Sequence, residues 1–204
     1  MSLQNLSYCR YLADIRFPWR QANYDVAKIV RAIKEEPFRG YADLMIGGVT
    51  MRLDPDHPQI ATEWFIERVV EETKFSPGEH VLCPIPDSQC TTSSTHTPRT
   101  LRLARILSKR VPQLKVWHHL RFKKPMPRRL RDEELIYQNL LCTAPVPEGY
   151  LILLDDVCTT GAHARAAQRL LTEHGARDMC AMSVARTLLE PEANVFGLRA
   201  DEIA

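Results

Sequence analysis

The chain has no long hydrophobic run. Nowhere in its 204 residues do apolar side chains approach the roughly 18 in succession that a membrane helix requires. Met1 to Asp14 holds no apolar segment of the kind a secretory leader carries, so a cytoplasmic protein with no membrane partner is expected. No charge of one sign dominates: 27 Lys and Arg against 25 Asp and Glu leave a net charge of +2. The average charge therefore points to no polyanionic partner. Six cysteines are present, at 9, 83, 90, 142, 158 and 180, but none forms a C-x-x-C pair. No His-x-His or clustered Cys/His set stands in for one, which excludes the usual zinc spacings. Cys83, Cys158 and Cys180 fall in or beside apolar runs, where a free thiol behaves as a small hydrophobe. A reduced set of thiols is expected. No Gly-Lys pair occurs, and that removes the phosphate loop of the Walker type.

What is present is concentrated in one stretch. Residues 150–163 read Y-L-I-L-L-D-D-V-C-T-T-G-A-H. An unbroken apolar run from Leu151 to Leu154, ended by charge, suits a strand buried on both faces of a parallel sheet. Asp155 and Asp156 follow, then Thr159, Thr160 and Gly161, and an amphipathic helix begins at about Ala162. In an open α/β sheet, ligands bind beyond the carboxyl ends of the strands. The start of the next helix offers unpaired N–H groups and a positive dipole end to phosphate. Thr159 and Thr160 add hydroxyl donors, and Gly161 permits close backbone approach. Ionised Asp155 and Asp156 only accept hydrogen bonds. Acceptors beside a phosphate cradle suit a ligand that also brings hydroxyl donors or a metal, and a sugar phosphate does so. The competing readings are an ordinary Asp-rich turn with Thr caps, and a Walker B strand. The second lacks its partner loop.

The length suits one domain over 51–204 with an N-terminal extension over 1–50 that contributes a hood. Residues 1–22 show no clear period; Tyr8, Tyr11, Phe17 and Trp19 read as aromatic anchors on the main body. Asn23 is placed to cap a helix over about 24–36. A short strand is expected within 45–51, a helix over about 59–74 and a buried strand at 81–83. Residues 87–97 read as a loop, with Thr97 as the cap and Pro98 in the first turn of a helix running to about Arg110. Alternation over 114–121 reads as one strand. On it, His118 and His119 would point to opposite faces and could not share a metal. Residues 122–134 carry Lys123, Lys124, Arg128 and Arg129 among prolines and read as a basic loop. A weak strand near 139–143 precedes the central stretch. The helix after it stops at Gly175, a buried strand spans 178–185, and the tail is left unassigned.

The acidic pair followed by T-T-G resembles the phosphoribosyl pyrophosphate signature of the type I phosphoribosyltransferases. The element order over 24–187 resembles their core, and most closely the ComF-like competence proteins. Val81-Leu82-Cys83-Pro84-Ile85-Pro86, Leu101 to Leu107, Asn139 and Val184-Ala185-Arg186-Thr187 carry the second likeness. Three departures stand out. His163 replaces a hydroxyl residue, His96-Thr97-Pro98-Arg99 replaces the family's R-G-F-N-Q turn, and the N-terminal four-cysteine zinc element is missing.

The resemblance implies a mostly parallel, twisted α/β sheet flanked by helices, with an N-terminal helical extension. It implies an enzyme that binds phosphoribosyl pyrophosphate with Mg²⁺, held through ligand and water rather than directly. The phosphoribosyl group would pass to a nitrogen nucleophile. Asp155 and Asp156 would hold the ribose, and Thr159, Thr160, Gly161, Ala162 and His163 the 5′-phosphate. Asp87, Ser88 and Arg99 would meet pyrophosphate, and Lys123, Lys124, Arg128 and Arg129 would close over it. The alternative is a non-catalytic sensor of phosphoribosyl pyrophosphate or a nucleotide, acting on a nucleic-acid or protein partner. A homodimer stays open, and a nucleic-acid partner is not favoured, because Phe122 is the lone aromatic within the basic loop.

Overall fold

The computed structural model describes residues 2–13, 16–127 and 130–203. Its centre is a six-stranded sheet in the order β10-β1-β9-β8-β4-β5. β1 (Leu3–Leu12), β9 (Met179–Leu188), β8 (Tyr150–Cys158), β4 (His80–Pro84) and β5 (Leu114–Val116) run parallel, and β10 (Phe196–Ile203) closes one edge antiparallel to β1. The protein is thus α/β with a mostly parallel sheet flanked by helices.

The run Leu151–Leu154 is buried throughout because both faces of β8 are covered. Ile152 and Leu154 join a core with Leu82, Met182 and Val184, under α1 (Gln21–Ile33), α2 (Gln59–Glu72) and α3 (Arg99–Arg110). Leu151 and Leu153 join a second core with Val81, Cys83 and Ala181, on the side of α5 (Ala162–Glu173). Two small sheets complete the fold. The hairpin β2 (Ala42–Ile46) and β3 (Val49–Leu53) turns at Gly47-Gly48, and β6 (Leu120–Phe122) pairs antiparallel with β7 (Leu140–Cys142). α4 (Glu133–Asn139) leads into β7, and the Asp132 side chain caps it by accepting from the Leu135 N–H at 3.0 Å.

The crossover that positions the site follows from this layering. β4 passes through α3 on one face to β5, while β8 passes through α5 on the other face to β9. The two chains leave in opposite directions, which makes the carboxyl ends of β4 and β8 the switch point at which open sheets of this kind form their ligand crevice.

Several elements differ from the sequence reading. Residues 3–12, which show no period, form β1 inside the main sheet, because Asn5, Ser7 and Arg10 are buried with their apolar neighbours. The unassigned tail supplies β10. Asn23 lies inside α1 at its third position rather than ahead of it, where its Oδ1 accepts the Arg20 N–H at 3.0 Å. Pro98, not Thr97, is the N-cap of α3, and its carbonyl accepts from Leu101 at 3.1 Å. The expected strand 114–121 is split between β5 and β6, and its histidines sit in the connection with their rings stacked, centroids 5.1 Å apart. The stop of α5 is as read. Gly175 adopts φ 95°, its N–H bonds to Thr172, and Ala176 N–H bonds to Leu171. These are the paired bonds of a Schellman ending.

Candidate functional site

Asp155 and Asp156 lie at the carboxyl end of β8, where the regular alternation of the strand lapses. Leu154 and Val157, three residues apart, pack in the same core. The ladder with β9 nevertheless keeps its register, with Asp155 opposite Ser183 and Val157 opposite Ala185. Each carboxylate accepts from the next backbone N–H: Asp155 from Asp156 at 2.8 Å, and Asp156 from Val157 at 2.7 Å. The acids therefore hold the irregular backbone as well as facing the crevice. Burial, and then the negative charge of Asp156, push the Asp155 carboxyl far above the usual carboxylate range; Lys34 at the end of α1 pulls weakly the other way. A ligand that donates hydrogen bonds to both acids would oppose that rise by favouring the ionised form.

The far wall of the crevice is built from the end of β4 and the start of α3. Thr100 Oγ1 donates to the Ile85 carbonyl at 2.7 Å and fixes the helix start. Arg99, the first residue of that helix, then reaches across to Asp156 Oδ2 at 3.3 Å. Of the other residues expected to meet pyrophosphate, Asp87 pairs with His96 at 2.7 Å. Ser88 offers its carbonyl to the Met126 N–H at 2.9 Å. Loop 87–97 is thus stitched to the next segment, with further bonds from Phe122 to Cys90 and from Thr92 to Phe122.

The turn after β8 is assembled as follows. Thr159 and Thr187 hydroxyls meet at 3.3 Å, tying the turn to the end of β9. Gly161 is the N-cap of α5 with φ 79°, a left-handed conformation that favours glycine, and it brings no side-chain cap. The first N–H groups of a helix have no partner within it. Here Thr160 Oγ1 takes that of Ala162 at 3.4 Å. The space that a Cβ on Gly161 would need is filled by Ile203, at the end of β10. The close approach this glycine allows is therefore made by the chain's own last strand. His163 is mostly buried beside the turn, its ring edge-on to Phe122 at 6.4 Å. Burial lowers its pKa, and Asp156 opposes that shift.

The basic loop is only partly brought to the site. Lys123 donates to the Gln138 carbonyl at 2.6 Å, at the end of α4, where a helix welcomes a cation. Lys124 is exposed, and Arg128 and Arg129 lie outside the described residues. The sequence reading missed Lys34 and Ser183, which flank Asp155. Neither carried a motif, and only the sheet order brings them there.

Among the described residues, no group of three or more His, Cys, Asp or Glu could hold a metal ion. Two acids, one of them paired with Arg99, are too few for a cage made by the chain alone. They do fit a hard cation that arrives on an oxygen-rich ligand and keeps most of its water. No helix of the described residues is long and apolar enough to cross a membrane. No protein-family model matches the chain, and no curated protein matches it.

Proposed function

We propose that the crevice between β4 and β8 binds phosphoribosyl pyrophosphate with Mg²⁺, and that the protein is a phosphoribosyltransferase of the type I kind. The carrying observation is the juxtaposition of the acid pair with the start of α5, whose cap residue Gly161 brings no side-chain acceptor, at the switch point of the sheet. In this reading the ribose hydroxyls donate to Asp155 and Asp156, and the 5′-phosphate accepts from the N–H groups of residues 160–164. A Mg²⁺ ion carried by the pyrophosphate would offset its charge. As the bond from the anomeric carbon to pyrophosphate breaks, positive charge grows on the ring, and the carboxylates beneath it stabilise that charge. Negative charge grows on the leaving group, and Arg99, which already reaches Asp156, is placed to receive it. A nitrogen nucleophile then bonds to the anomeric carbon and yields its proton to solvent or to the acid pair.

One observation favours the alternative, a sensor that binds the same ligand without turnover. Asp87 is held by His96, Arg99 by Asp156 and Lys123 by Gln138, so three groups expected to serve pyrophosphate already have partners. The experiment that separates the two is pyrophosphate release, assayed with a panel of purine and pyrimidine bases and amines. Turnover with any acceptor establishes the enzyme. Saturable binding without release establishes the sensor. No binding at all defeats both.

A further inference from the structure

A cavity of about 680 Å³ lies away from the acids, along the opposite stripe of α1. That is the size of a small-molecule site. Phe17, Trp19, Tyr24 and Phe38 give it aromatic walls. Trp19 and Tyr24 meet edge to face with centroids 5.1 Å apart, and Tyr24 remains 50% exposed. Phe38 is buried in the main core and forms the floor, while the exposed Tyr24 leaves the rings gathered around an open space, an uncommon arrangement on a protein surface.

The charge on this cavity has one sign. Lys28, Arg31 and Arg39 line it, and none of its described lining residues is acidic. Lys28 is offset by Asp25 at 3.0 Å. Arg31 donates to the Pro37 carbonyl at 3.4 Å, a neutral acceptor that does not itself offset the charge. Arg39 is exposed at the rim. A guanidinium stacks on planar groups and forks onto planar anions, so two of them beside aromatic walls favour a flat ring with an anionic substituent.

We propose that this cavity is a binding site for a small planar aromatic anion, a ring system bearing a carboxylate, sulfonate or phosphate. The site is independent of the sugar-phosphate reading, because none of its residues belongs to the crevice.

Calorimetry on the full chain tests it with 2-naphthalenesulfonate as the aromatic anion, 2-naphthol as a neutral ring of the same size and sulfate as an anion without a ring. The naphthalenesulfonate binds one to one, at least tenfold more tightly than either control. Arg31→Gln with Arg39→Gln weakens it at least tenfold, and Tyr24→Ala does so independently. All three positions are exposed, and an unchanged Tm shows that the variants fold. Asp155→Asn leaves the binding intact. Equal affinity for 2-naphthol, or full affinity in the double arginine variant, overturns the proposal. So does a cavity that takes only an oligonucleotide or a peptide.

Discussion

Arg99 on α3 and Asp156 on β8 meet at 3.3 Å across the crevice, joining the two walls that the crossover of the sheet leaves apart. Arg99 is one-third exposed and Asp156 is mostly buried, so the cation is the partner able to move. If a pyrophosphate enters, Arg99 gains a more highly charged acceptor and Asp156 is freed for the ribose. Arg99→Ala is expected to weaken phosphoribosyl pyrophosphate by about tenfold, the worth of one charge-assisted hydrogen bond. It should leave ribose 5-phosphate nearly unchanged. Parallel titrations with the two ligands check this, and an equal loss for both would place Arg99 outside the pyrophosphate site.

The contact between Ile203 and Gly161 couples the last strand to the turn at the site. Gly161→Ala meets two costs, a left-handed φ of 79° and a collision with Ile203. Together they amount to roughly 3 kcal/mol. Ile203→Ala removes only the second. In a double-mutant cycle by urea unfolding, the pair should be more stable than the sum of the single losses predicts, by at least about 1 kcal/mol. Simple additivity would show that the strand and the turn do not touch.

The acid pair gives a pH signature. Asp155 is raised to about 8 in the folded protein, by burial first and by Asp156 second. The unfolded chain releases that proton near pH 4, so between about pH 4 and about 8 the folded state binds the extra proton. The stability this proton contributes is complete below that window and is lost as pH rises through it. Asp155→Asn keeps the shape and never ionises. Its melting temperature should match the wild type near pH 4 and exceed it by several degrees at pH 9. A constant difference across the range would show that Asp155 ionises normally.

What was legible in the sequence, and what was not, divides along burial of polar groups. β8 could be read because Leu151–Leu154 are all apolar and all buried, and α5 because its ending is written in Gly175. β1 could not, since its buried side includes Asn5, Ser7 and Arg10. Their partners lie mostly far along the chain: Ser183 Oγ donates to Asn5 at 3.2 Å, and Arg10 donates to Asp201 at 2.9 Å as well as to the nearby Ser7 at 3.3 Å. β10 hid for the opposite reason, being an edge strand that carries Arg199 and Glu202 toward solvent. Of the site, the acids and the turn were visible as a motif. The lapse in alternation at Asp155, the occupant of the space beside Gly161 and the partners of Lys123 depend on the sheet order. Local pattern does not encode that order.

The same polar pairing makes a stability prediction. Arg10 is 4% exposed and forks onto Asp201 between β1 and β10. Asp201→Asn strands a buried charge and should cost roughly 2–3 kcal/mol. Arg10→Met with Asp201→Leu should recover most of that. Urea unfolding of the three proteins checks it; a neutral Asp201→Asn would show that Glu192, 3.9 Å away, suffices alone.

The central claim is that Asp155 and Asp156 receive the hydroxyls of a sugar whose phosphorylated end rests on the start of α5. Titration calorimetry of phosphoribosyl pyrophosphate with Mg²⁺ tests it most directly, comparing the wild type with the Asp155→Asn, Asp156→Asn double variant. The account predicts one-to-one binding by the wild type and a loss of at least a hundredfold in the folded variant. Equal affinity in the two proteins would contradict it.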